Sequence, residues 1–101
     1  MPSLQVAQTI LEQLGGRRFI AMTGASRFLG GESLLAFRLP SYFARNGINA
    51  VRITLLPSDT YRVEFSRCRA TKFVPVSTHD GIYADGLRPL FTAETGLSLS
   101  L

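Results

Sequence analysis

The sequence holds a single cysteine, Cys68, a single histidine, His79, and a single lysine, Lys72. A lone cysteine closes no disulfide within the chain, and a zinc site needs several such ligands. This usage suits a reducing compartment. Nucleophilic catalysis needs a base held beside the nucleophile. The one imidazole, His79, stands next to Asp80 just ahead of the last helical segment, where the pair reads as turn or capping residues. The seven acidic residues are scattered, with no paired carboxylates and no metal-ligand spacing. No apolar run approaches transmembrane length, and no basic-then-apolar stretch resembles a signal peptide. The expectation is a soluble, cytoplasmic, non-enzymatic protein with no cofactor and no membrane association. An enzyme of unrecognised type is the least favoured alternative and would need a concave pocket around His79 or Cys68.

The 101 residues fit one domain, 1–101, long enough to bury a core without a metal or disulfide. Hydrophobic residues make up 46% and charged residues 18%, which argues against disorder. The net charge is +4, and ten of the eleven basic residues are arginine. Arginine holds phosphate or carboxylate through a planar fork and stacks on aromatic faces. The bias fits an anionic partner, nucleic acid or an acidic protein surface; it is also what a GC-rich coding sequence produces.

Ser3 is placed to cap a helix whose apolar positions are Leu4, Ala7, Ile10, Leu11 and Leu14, and Gly15-Gly16 stops it. Arg17 to Thr23 reads as a strand, apolar on both faces, followed by a glycine-bracketed loop from Gly24 to Gly31. In a strand from Ser33 to Leu39, Leu35, Phe37 and Leu39 point one way and Leu34, Ala36 and Arg38 the other. Ser41 to Asn49 is a connection, with Tyr42 and Phe43 on one short helical turn and a turn signal at Asn46-Gly47. Ala50–Leu56 and Tyr61–Arg69 form a hairpin around Pro57-Ser58-Asp59-Thr60. Pairing Leu55 with Tyr61, Ile53 with Val63 and Val51 with Phe65 gives one apolar face. The other face then sets Arg52 across from Glu64 and Thr54 across from Arg62.

Lys72 to Ser77 is a weaker strand that Pro75 confines to an edge. The segment Ile82 to Thr95 has helical spacing but contains Pro89, which costs about 3 kcal/mol inside a helix. A start at Gly86 with Asp85 as cap puts Pro89 in the first turn, where amides lack partners. Gly96 ends this helix with Leu97 folded back, and the tail to Leu101 alternates like a short edge strand. The predicted architecture is α+β: an antiparallel four- to five-stranded meander with an N-terminal and a C-terminal helix packed on one face.

Thr23-Gly24-Ala25-Ser26-Arg27-Phe28-Leu29-Gly30 resembles the cofactor loop of short-chain dehydrogenases. That loop needs a middle glycine where Phe28 stands and a helix where the sequence is strand-like. No Tyr-x-x-x-Lys pair follows, so a glycine-rich hairpin loop is the better reading.

The basic residues give the candidate site. Arg38, Arg52 and Arg62 share the solvent face of the sheet, Arg17 and Arg18 stand at its start, and Arg67, Arg69 and Lys72 cluster at the far end. These eight form a candidate face for nucleic acid or another anionic partner. Phe37, Tyr61 and Phe65 alternate onto the opposite, apolar face, and Glu64 offsets part of the charge. Both facts weaken a base-stacking platform. Cys68 shares the face of Arg62 and Glu64, with Arg67 and Arg69 pointing away, and reads as inert.

Three stretches carry a resemblance over most of the chain. They are Met-Thr-Gly-Ala-Ser-Arg-Phe-Leu-Gly-Gly-Glu-Ser-Leu-Leu-Ala-Phe-Arg-Leu-Pro (22–40), Phe-Ala-Arg-Asn-Gly-Ile-Asn-Ala-Val-Arg-Ile-Thr-Leu-Leu-Pro-Ser-Asp-Thr-Tyr-Arg-Val-Glu-Phe (43–65) and Ile-Tyr-Ala-Asp-Gly-Leu-Arg-Pro-Leu-Phe-Thr-Ala-Glu-Thr-Gly-Leu (82–97). Together they resemble a scattered family of small uncharacterised proteins encoded by bacteriophages, prophages and other mobile elements. The resemblance assigns no site residue. It implies an accessory protein that binds a host protein or nucleoprotein, such as a defence complex. Direct nucleic-acid binding through the arginine face is the alternative. A homo-oligomer paired through a sheet edge is a further expectation.

Overall fold

The computed structural model describes residues 4–40, 44–69 and 72–97. Ser3, Tyr42, Phe43 and the tail beyond Leu97, for which the sequence suggests a cap, a helical turn and an edge strand, lie outside them.

Helix α1 spans Gln5–Leu14 and buries Ala7, Ile10 and Leu14 on one stripe. Its N-cap is Leu4, with no side-chain cap bond. Gly15, at φ 128°, turns the chain, its N–H donating to Leu11 O and Glu12 O. The predicted strand over Arg17–Thr23 is instead a second helix, α2, over Gly16–Thr23. Phe19 and Thr23 are buried while Ala21, between them, is exposed, which a two-residue alternation does not allow. The Thr23 hydroxyl donates to Phe19 O at 2.7 Å. Gly24, in the left-handed conformation, then ends the helix.

The expected loop after Gly24 contains a strand, β1, over Ser26–Gly30. It is followed by β2 (Leu34–Arg38), a short turn at Arg45–Gly47, β3 (Ala50–Leu55), β4 (Tyr61–Arg69) and β5 (Lys72–Ile82). The five strands form one antiparallel sheet in the order β1-β2-β3-β4-β5. The predicted hairpin register holds throughout, with Leu55 opposite Tyr61, Ile53 opposite Val63, Val51 opposite Phe65, Arg52 opposite Glu64 and Thr54 opposite Arg62. In its turn Asp59 takes φ 62°, and Leu56 N–H donates to Thr60 O at 2.8 Å. Pro75 does sit on an edge strand, where a missing N–H breaks no ladder bond.

A short 3-10 turn at Ala84–Gly86 leads into α3, Leu87–Thr95. The cap is Gly86, with no side-chain bond from the expected Asp85, and Pro89 falls in the first turn as required. Gly96 closes α3 in the left-handed conformation and Leu97 is buried beyond it. The two helix ends share one device: Thr95 donates to Phe91 O and accepts from Leu97 N–H, as Thr23 donates to Phe19 O and accepts from Ala25 N–H. The Phe19 and Phe91 rings meet edge to face at 5.1 Å. They join Phe37, Phe65, Val51, Ile53 and Ile10 in one core between the helices and one sheet face. The architecture is an α+β meander, with two N-terminal helices where one was expected.

Candidate functional site

The opposite sheet face carries Arg38, Ala50, Ser66 and Pro75 along one row of paired residues and Leu29, Ala36, Arg52, Glu64 and Thr78 along the next. Their partners along each strand, such as Phe37, Val51 and Phe65, are the core residues, so this face is turned away from the core.

One irregularity and the pairing at the end of the β4–β5 hairpin aim side chains onto it. Ser26 pairs with Arg38 and Leu29 with Ala36, which leaves Arg27 and Phe28 together opposite Phe37. This one-residue bulge puts Arg27 at φ 53°. The ring of Phe28 stays with Phe37 at 5.5 Å, while Arg27 joins Leu29, Arg38 and Arg52 on the open face. On β5 the pairing runs unbroken from Lys72 opposite Arg69, through Phe73 opposite Cys68, to Pro75 opposite Ser66, and the register shifts only beyond Pro75. Phe73 therefore lies on the arginine face, and Arg38 sits over its ring at 5.0 Å from the centroid.

The result is a groove of about 410 Å³. Its floor is made of small side chains, Ala36, Ala50 and Ser66, and its walls of Leu29, Phe73 and Pro75. Arg27, Arg38 and Arg52 rim it, with Glu64 as the one acidic residue. Leu29 is 66% exposed and Phe73 57%. Arg52 and Glu64 face each other in register, yet the ion pairs among the described residues are Arg62–Asp80 and His79–Glu94.

The predicted basic residues thus divide. Arg38 and Arg52 share the groove. Arg62 is on the same sheet face but is held by Asp80, Nε to Oδ1 at 2.7 Å. That hydrogen bond, then the carboxylate charge, raises the Arg62 pKa above its usual value. Arg67 and Arg69 line a second depression with Asn46, Gly47, Asn49 and Cys68, and Lys72 pairs with Arg69 near the end of the β4–β5 hairpin. Arg17 and Arg18, expected at the start of the sheet, are exposed on α2 and belong to the helical layer. Arg27, Leu29 and Phe73 were missed. The strand containing Phe73 was legible, but its face follows from the pairing of Lys72 with Arg69, a register left unassigned in sequence.

His79 is not a turn residue. It lies in β5 opposite Val63, and its Nε2 bonds Glu94 Oε1 on α3. Cys68 is buried, on the face foreseen for it. Asn49 clamps its backbone, Nδ2 donating to Cys68 O at 3.0 Å and Oδ1 accepting from Cys68 N–H at 2.6 Å. The Thr23–Gly30 segment runs from the end of a helix into a strand, the reverse of the strand-to-helix order a dinucleotide loop needs. Among the described residues no cluster of three or more His, Cys, Asp or Glu could hold a metal ion, and no helix is long and apolar enough to cross a membrane.

The chain matches no protein-family model, no curated protein and no solved structure among those compared with it.

Proposed function

We propose that this is a small, non-enzymatic accessory protein of phage type, acting in the host cytoplasm by binding a host macromolecule, such as a defence complex, through the open face of its sheet. One observation carries the reading: two large apolar side chains, Leu29 and Phe73, stand exposed beside three arginines in a single groove. Exposed apolar surface rimmed by charge is the usual mark of an interaction site. The resemblance to phage and prophage proteins supplies the host context. Pairing of copies through a sheet edge is the weaker route to a partner. The bulges in β1 and β5, and Pro75, blunt both edges.

The test is capture from a host lysate by the wild-type chain, by L29E/F73E and by R17E/R18E, which alters the helical layer. The expected result is a stoichiometric partner retained by wild type and R17E/R18E and lost by L29E/F73E. A capture that survives L29E/F73E, or no stoichiometric partner at all, contradicts the proposal.

A second reading, direct nucleic-acid binding, is favoured by Phe73 lying on the arginine face with Arg38 over its ring. It predicts a gel shift at low salt that fades steeply as salt rises. No shift with duplex or single-stranded DNA or RNA contradicts it.

A further inference from the structure

We infer that the groove takes an acidic peptide segment of a partner protein, one that inserts a large apolar side chain between Leu29 and Phe73 and sets carboxylates against Arg27 and Arg38. The inference rests on the proposed binding function and names the chemistry of the partner.

Charge complementarity gives the sign. Three guanidinium groups rim the groove against one carboxylate, and the ion pairs among the described residues do not include those three. Arginine offers carboxylates a bidentate fork. The shape gives the anchor. The floor of Ala36, Ala50 and Ser66 is low because its side chains are short, while Leu29 and Phe73 stand up at the two sides. An apolar side chain entering over Ala36 has Leu29 on one flank and the Arg38 stem, itself over Phe73, on the other, so it is desolvated on both, the arrangement in which interface anchors contribute most.

The same details disfavour a nucleic acid strand. Stacking of successive bases needs successive rings, and the groove offers Phe73 with its ring already under Arg38. The Leu29 and Pro75 walls suit Leu, Ile or Phe better than a base edge. Glu64, beside Arg52 in the groove, interrupts the positive track a phosphate backbone follows. A peptide can turn a backbone N–H or hydroxyl towards Glu64 and keep its carboxylates for the rim.

The experiment is selection of a random 12-residue peptide library on the immobilised full chain. The affinities of the selected peptides are then measured for wild type, L29A/F73A, R27A/R38A and the R17A/R18A control. The expected outcome is enrichment of peptides with one large apolar residue flanked by at least two Asp or Glu. Affinity should fall at least tenfold in L29A/F73A and several-fold in R27A/R38A, should stay unchanged in R17A/R18A, and should weaken with salt. A labelled dT20 strand should bind more weakly and be displaced by the peptide. The inference is overturned by no enrichment, by enriched peptides without that pattern, by affinities indifferent to the groove substitutions, or by tighter dT20 binding lost in L29A/F73A. If the library fails while lysate capture still depends on Leu29 and Phe73, the binding function stands and only the peptide chemistry falls.

Discussion

The guanidinium of Arg38 lies 5.0 Å from the centroid of the Phe73 ring, although two strands separate β2 from β5. Three strand spacings amount to roughly 14 Å, so the two side chains lean towards each other over the short side chains of Ala50 and Ser66. Such a cation–π contact contributes about 0.5–1 kcal/mol at an exposed site. R38A and F73A should each lower stability by about 1 kcal/mol or less. A double-mutant cycle in urea should show coupling of about 0.5 kcal/mol. Larger losses would mean that the pair is structural rather than a surface feature available to a partner.

Gly24 and Gly16 give an internally controlled backbone test. Both have positive φ, 71° and 59°, and a left-handed non-glycine residue costs about 1–2 kcal/mol. A Cβ at Gly24 would also fall 2.9 Å from Pro40 Cγ, whereas one at Gly16 meets nothing within 4 Å. G24A should therefore destabilise more than G16A. One kcal/mol is worth about 4–8 °C in Tm for a domain of this size, so thermal melts will resolve the difference. Equal shifts would contradict the packing of Gly24 against Pro40.

His79 and Glu94 tie the edge strand β5 to α3, and the His79 ring also meets Phe65 edge-on at 6.1 Å. H79A and E94A should each cost about 1–2 kcal/mol, with coupling of about 1 kcal/mol in a double-mutant cycle. The groove should be unaffected, so partner capture by either variant should match wild type. Loss of capture with retained stability would move the functional site towards the histidine.

Asn49 bonds both the N–H and the carbonyl of Cys68. N49A removes both partners at once from partly buried positions and should cost about 1–3 kcal/mol. N49D keeps the acceptor for the Cys68 N–H but sets a carboxylate oxygen against the Cys68 carbonyl where the Nδ2 donor stood, and should cost at least as much. Chemical denaturation of the two variants checks the order.

How far the sequence carried the structure varied with the element. The β3–β4 hairpin was legible to single-residue register because its turn residues and the facing pairs Arg52–Glu64 and Thr54–Arg62 all require the same alignment. The bounds of α3 were legible because Pro89, in the first turn, and Gly96, past the last, each tolerate few positions. Helix α2 was not, since a short apolar run gives little periodicity and the burial of Phe19 depends on the Phe91 and Phe37 rings it meets. The site was legible by half. Arg38 and Arg52 follow from strict alternation. Arg27 reaches the same face through the bulge in β1, where an extra residue reverses every face assignment beyond it, and Phe73 through the unbroken pairing from Lys72 opposite Arg69. The arginine set therefore looked broader and less aromatic in sequence than in space.

Hydroxyl-radical footprinting of the chain with and without its captured partner tests the central claim most directly, because it reads side-chain exposure. Leu29 and Phe73 in the groove are 66% and 57% exposed, and Leu4 and Tyr83 away from it are 50% and 68% exposed, so the controls are built in. The account predicts that oxidation of Leu29 and Phe73 falls several-fold in the complex while Leu4 and Tyr83 oxidise as before. Protection of Leu4 or Tyr83 with Leu29 and Phe73 left reactive would contradict it.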